Sequence, residues 1–227
     1  MPIPSSILAV RFLLGMVALS VGPLVVWEAL RAWGFVPAAP TLAENVEGSC
    51  VALLVSALFV AVLAWRLPTA MPLRPVQVVA AVRVYATWLL PWVLLLVGYL
   101  WVVSIVPQRQ LDYVVAAEFA RPGYWLVVLV ITLAAPFAEE VVFRGYLLGA
   151  LLQPMGNRAA IATSAAVFGL GHGVEYALPT GVLGIIFGWL AVHRGLSAAM
   201  LAHALHNSIT VAVHVLWPDT LDWLYRR

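Results

Sequence analysis

Glu139-Glu140-Val141-Val142-Phe143-Arg144 sets two acids and a base inside a stretch that is otherwise almost continuously apolar. Upstream, residues 124–138 read YWLVVLVITLAAPFA, and downstream, residues 145–152 read GYLLGALL. Both flanks have the composition of a membrane-spanning helix. An ionisable group at that depth costs about 2.5–3.5 kcal/mol on insertion scales, so such groups face a protein interior or a water-filled cavity and mark function.

The whole chain repeats the message of those flanks. Of its 227 residues, 64% are hydrophobic and 10% charged, with a mean hydropathy of +1.01, whereas an ordinary soluble domain is about 25% charged. The expected fold is all-α, a polytopic transmembrane helix bundle within one membrane domain, 1–227. The twelve basic residues are all arginine, which reflects base composition rather than chemistry, and a net charge of +2 is too small to imply a nucleic-acid partner. The single cysteine, Cys50, rules out an internal disulfide and a cysteine-based zinc site, and is expected to be a small packing residue. The first apolar run lacks a small-residue cleavage signature and is expected to be a retained helix.

A span needs about 20 apolar residues, and the sequence offers about seven. They are expected at 12–30, 49–65, 84–106, 124–148, 158–172, 176–192 and 195–217. The separator 31–48 carries Pro37, Pro40, Glu44 and Glu47 and reads as a loop. Residues 66–83 form an arginine-rich connector ending in a short interfacial helix, 107–123 a second interfacial segment, 153–157 a turn, and 218–227 a short tail. Pro91 is expected to kink the third span. Arg66, Arg74, Arg83, Arg158 and Arg194 fall on one side, which the positive-inside rule makes cytoplasmic. The N-terminus is then inside and, with seven spans, the C-terminus outside.

Three constellations can carry chemistry. Glu140 and Arg144 are spaced i, i+4 with the acid first, the favourable order for a helical ion pair. Glu139 lies about 100° round the helix, so one acid is set to be structural and the other reactive. The competing reading, two acids that only pair with arginines, leaves an unneeded and expensive acid pair in the membrane. Next, Phe168-Gly169-Leu170-Gly171-His172 closes the fifth span; taken alone, His172 reads more readily as a packing residue than a catalytic one. Finally, His203 and Asn207 stack one turn apart on one face of the seventh span, a pattern that simple interhelical hydrogen bonding also explains. His193, His206 and His214 read as structural, and Ser164, Ser197 and Ser208 as helix-packing residues.

Counted from the cytoplasmic ends, Glu139, His172, His203 and Asn207 lie roughly 12–21 Å deep, so one cavity can hold them. A carboxylate, imidazoles and an amide in such a cavity suit hydrolysis of a carbonyl: general base for water, donors for the oxyanion. No Gly-x-Ser-x-Gly, His-Glu-x-x-His or Gly-x-Gly-Asp pattern occurs, which disfavours serine, zinc and aspartyl intramembrane chemistries of familiar type. Nor are there the repeated halves of a small-solute transporter.

At these residues the sequence resembles the CAAX-protease and bacteriocin-processing family, CPBP, formerly ABI. Glu139, Glu140 and Arg144 match its Glu-Glu-x-x-x-Arg motif, Phe168 and His172 its Phe-x-x-x-His motif, and His203 and Asn207 its His-x-x-x-Asn motif. The resemblance covers 124–217, whereas 1–123 match only in hydrophobicity. It implies a helical bundle with a catalytic cavity in the membrane. Glu139 would activate water with help from His172, His203 and Asn207 would form the oxyanion hole, and Glu140, Arg144 and Phe168 would support the site. No cofactor is expected; in the alternative zinc-dependent version Glu139, His172 and His203 would hold the metal. The implied substrate is a membrane-associated protein or peptide: a CAAX protein, a membrane anchor, a C-terminal sorting signal or a maturing peptide. The implied location is a bacterial inner membrane. A non-catalytic binding or scaffold protein, such as a bacteriocin-immunity factor, is the alternative outside enzymes. Oligomeric state is not legible.

Overall fold

A computed structural model describes residues 3–37, 41–71, 73, 75, 78–103, 123–174 and 176–216. Every regular element among the described residues is helical. Six runs are long and apolar enough to cross a membrane, and the chain is an integral membrane protein.

The first run bends. Helix α1 (Ser5–Ser20) gives way to α2 (Gly22–Ala32) where Pro23 sits in the first turn of the second helix and has no N–H to continue the ladder. Helix α3 (Leu42–Arg66) starts earlier than expected. Thr41 Oγ1 accepts from the Glu44 N–H at 3.3 Å, while the Glu44 carboxylate accepts from the Thr41 N–H at 2.8 Å. This capping box satisfies two donors that would otherwise lack partners and pulls residues 42–48, expected as loop, into the helix. Helix α4 (Val78–Val103) includes Pro91 and absorbs the expected interfacial helix before residue 84. The predicted interfacial segment at 107–123, apart from Gly123, lies outside the described residues, as do Arg74, Trp217 and the tail 218–227.

The site-bearing run extends over Tyr124–Gly171, 48 residues. It comprises α5 (Tyr124–Leu129), a π-helical segment (Val130–Ala134), α6 (Ala135–Glu140), a second π-helical segment (Val141–Leu148) and α7 (Gly149–Gly171). Drawn straight, it would measure about 72 Å, against a hydrocarbon thickness of about 30 Å. Gly156 breaks it, with φ 73° and ψ 169° just after Pro154, inside the turn expected at 153–157. The expected fourth and fifth spans are therefore two legs of one kinked run, and the six runs among the described residues come close to the expected count of about seven. Helices α8 (Ala177–Arg194) and α9 (Leu196–Leu216) follow, joined through Gly195 at φ 95°.

One end of the bundle collects the segments that the arginine bias assigns to one side. Gln153 Nε2 donates to the Ile3 carbonyl at 2.7 Å, and Arg11 donates to the Pro68 carbonyl. Residues 67–71 lie as a strap over the second π segment. The Ala70 N–H donates to the Gly145 carbonyl at 3.1 Å, and Tyr146 Oη donates to the Leu67 carbonyl at 2.9 Å. There is no room for side chains beneath the strap: a Cβ at Gly149 would sit 2.4 Å from that of Ala70.

Elsewhere small residues set the packing, as expected where lipid-like surfaces give helices no hydrophobic reason to associate. Helices α7 and α8 approach closely: a Cβ at Gly169 would lie 2.3 Å from the Ala177 carbonyl oxygen, and one at Gly184 3.0 Å from Ala165 Cα. Cys50 is buried against Tyr124, Val127 and Val211, as its expected packing role requires.

Candidate active site

Three helices bring the three motifs together. On the site-bearing run, Glu140 is fully buried and its Oε1 lies 3.1 Å from Arg144 Nη1, the ion pair that the i, i+4 spacing predicted. A buried guanidinium needs more than one carboxylate oxygen. Arg144 lies 4.1 Å from the Phe168 ring centroid and 5.5 Å from that of Phe187, and its Nη2 donates to the Gly184 carbonyl at 3.4 Å. Cation–π attraction is strongest when desolvated, so the aromatic pair supports a charge that lipid would reject. The close α7–α8 approach is what delivers Gly184.

Glu140 Oε1 also takes a hydrogen bond from His203 Nδ1 at 2.9 Å. The His203 ring is fixed on its other flanks by Phe187, stacked at 4.7 Å and 20°, and by the edge of Phe168 at 5.9 Å. Its Nε2 is thereby aimed at Glu139 Oε2, 3.8 Å away. From α7, His172 presents its own Nε2 to the same oxygen, also at 3.8 Å, because its Nδ1–H donates to the Phe168 carbonyl at 2.8 Å. The neighbouring acids thus differ as their positions on the helix predicted. Glu140 is fully buried and engaged through Oε1 by both Arg144 and His203, whereas the Glu139 side chain is 24% exposed; among the described residues Oε2 of each carboxylate makes no hydrogen bond.

The proton inventory follows from those partners. A backbone carbonyl only accepts, so neutral His172 carries its proton on Nδ1. With Glu140 ionised, neutral His203 does the same. Both Nε2 atoms then turn lone pairs toward Glu139, and each can donate there only when its ring is doubly protonated.

Asn207, one turn along α9, is part-buried and does not join the carboxylate–imidazole contacts. Its Nδ2 donates to the Ile131 carbonyl at 2.8 Å. Ile131 lies in the first π segment, where the Ala135 N–H bonds to Val130 O rather than to Ile131 O. Thr132 Oγ1 donates to Val128 O at 2.7 Å in the same segment, and Ser164 Oγ ties the Phe143 carbonyl of the second at 3.2 Å. π-Helical turns recur at functional sites, and here two of them flank Glu139 and Glu140.

The remaining histidines stay apart from the site, as expected. His206 faces away, 3.1 Å from Tyr85 Oη and edge-on to Trp92, while His193 and His214 bond to carbonyls of their own helix. Sequence reasoning missed Phe187, Gly184 and Ile131. Each contributes a ring face or a carbonyl, which leaves no pattern in the sequence. For the zinc alternative, Glu139, His172 and His203 supply donors of suitable type. Among the described residues, however, no group of three or more such side chains is arranged to hold a metal ion.

No curated protein and no solved structure matches the chain. Residues 121–209, which contain all three motifs but none of the first three spans, match the Rce1-like family model, described as type II CAAX prenyl endopeptidase Rce1-like, and so bear out the resemblance that those motifs carry.

Proposed function

We propose that this chain is an intramembrane endopeptidase of glutamic type, cleaving a peptide bond in a membrane-associated protein or peptide. The observation that carries it is the convergence of His172 Nε2 and His203 Nε2 on Glu139 Oε2, each at 3.8 Å. That separation is too long for direct hydrogen bonds, and of the two acids Glu139, with its side chain 24% exposed, is the one a water can reach.

In this reading Glu139 takes a proton from that water as general base, and the oxygen adds to the scissile carbonyl carbon. His172 orients the water through its Nε2 lone pair. Donors from α9 receive the oxyanion: the second N–H of Asn207, and His203 Nε2 when its ring is doubly protonated. Collapse of the tetrahedral intermediate breaks the C–N bond, and the proton held by Glu139 passes to the departing amine. Glu140, Arg144 and Phe168 act by holding His203. The Rce1-like match supports a CAAX-type protease in general; anchors, sorting signals and maturing peptides share the required chemistry of a scissile bond close to the bilayer. A bacterial inner membrane belongs to the same reading.

The test compares wild type with Glu139→Gln in native membranes, over small membrane-anchored and C-terminally tagged peptides of the source organism. The variant is expected to lose about 10²–10⁴-fold in rate, the range of general base catalysis, with its unfolding temperature unchanged. Peptides shortened only by wild type would also identify the substrates. Full activity in a folded Glu139→Gln protein would sink the mechanism. No cleavage by purified wild type in lipid, with or without zinc, would favour the binding or scaffold reading.

A further inference from the structure

We propose that Pro136 is a positioning residue for the reaction, acting by keeping the Ile131 carbonyl free for Asn207. The inference rests on the proteolytic reading above and adds a residue that none of the three motifs contains.

The starting point is a missing donor. In the first π segment the Ala135 N–H is spent on Val130 O, five residues back. The next residue in that register, whose N–H would serve Ile131 O, is residue 136, and proline has no N–H. Ile131 O therefore has no helical donor at i+5, and its α-helical donor at i+4, Ala135, is already engaged. A half-buried carbonyl facing a neighbouring helix needs a partner, and Asn207 Nδ2 supplies it at 2.8 Å.

That bond does more for Asn207 than for Ile131. A carboxamide has two N–H groups in one plane. Committing one of them fixes the plane and therefore the direction of the other, which is left for a developing oxyanion. Asn207 is part-buried and lies one turn from His203, which is itself held by Glu140 at 2.9 Å. Helix α9 is thus clamped to the site-bearing run twice, by His203 onto Glu140 and by Asn207 onto Ile131, with the chains antiparallel. The first clamp is an ion-paired carboxylate that a motif search finds. The second is a backbone carbonyl released by a proline three residues before Glu139. Donors held in place before the reaction spend nothing on reorganisation during it, so the value of Pro136 lies in kcat.

Pro136→Ala and Pro136→Ser each restore an N–H at position 136. Either the π register then satisfies Ile131 O, or the segment relaxes to α-helix and Ala135 does so; in both cases Asn207 loses its sole claim on that carbonyl. Proline is the poorest residue for a helix interior, so neither substitution threatens folding. The experiment measures kcat and KM on a peptide that wild type cleaves, for wild type, Glu139→Gln, both Pro136 variants, Asn207→Ala and the Pro136→Ala/Asn207→Ala double variant. Expected is a kcat lower by about 10- to 100-fold in the Pro136 variants, the scale of a slight misplacement of a catalytic group. KM should stay within twofold, and the double variant should be no slower than Asn207→Ala alone. Wild-type kcat in both Pro136 variants, beside an inactive Glu139→Gln, overturns the inference and leaves the protease reading standing. So do losses that multiply in the double variant, since independent sites add in free energy. Full activity in Glu139→Gln takes down both.

Discussion

The two halves of the bundle use apolar surface differently. Within the most apolar window of each run, 11% of residues are buried in the run Ser5–Ala32 and 11% in Val78–Tyr99, against 50% in Tyr124–Gly171 and 44% in Ala177–Arg194. The N-terminal helices turn most of their side chains outward, consistent with lipid, and pack on the site-bearing run through one face of α1 and α3, where Leu8, Ala18, Ala57 and Val60 are buried with Ala138, Val141 and Val142. The C-terminal helices close on one another through glycine contacts, an ion pair and hydrogen bonds. In lipid an apolar face gains nothing by leaving one hydrocarbon surface for another. Position is therefore bought with polar pairs and small residues, and the chemistry sits where those are densest.

The strongest way to break that contrast is to remove the central charge. Arg144→Ala leaves Glu140 buried without its cation, which costs about 3–5 kcal/mol; thermal unfolding in lipid discs should show it, and a neutral result would contradict the ion pair. Asn207→Ala tests whether the same half performs catalysis, with an expected loss of about 10²–10³-fold in kcat. An unchanged rate would remove Asn207 from the oxyanion role and leave it a helix clamp. Gly169→Ala asks whether close packing matters as much as charge. Its Cβ would meet the Ala177 carbonyl at 2.3 Å, and overpacking of this kind costs about 1–3 kcal/mol. Smallest of all should be Leu13→Ala on α1, 61% exposed, with stability and kcat within about 0.5 kcal/mol of wild type. A large effect there would mean that the outer half does more than face lipid.

What could be read from sequence follows the same division. Glu139, Glu140, Arg144 and His203 were legible because charge and imidazole are conspicuous in hydrocarbon, whereas His172, which alone reads as a packing residue, was legible only through its motif; the separate fates of the two glutamates follow from helix geometry alone. Asn207 was legible as a polar side chain, but its bond to Ile131 depends on a π turn that no periodicity announces. Phe187 was hidden among many phenylalanines and leucines, since an apolar residue stacking on His203 looks like one facing lipid. The early start of α3 was available in Thr41 and Glu44, where the proline content of 31–48 outweighed a capping box. The joined run 124–171 was hidden for the opposite reason: Pro154 and Gly156 announce a turn, and the structure makes it a single-residue break between two helical legs.

The paired π segments also bear on how the chain tolerates changes of length. A π turn holds one residue more than the α turn it replaces, so deleting a single residue from Val130–Ala134 would allow an ordinary α-helix to form there without opening a gap. Phase would be kept as well, because the wide turn already holds its extra residue within about the rotation of an α turn. In an ordinary α-helix the same deletion would turn one flank by about 100° relative to the other, whereas here both flanks, and with them the two clamps on α9, would stay in line.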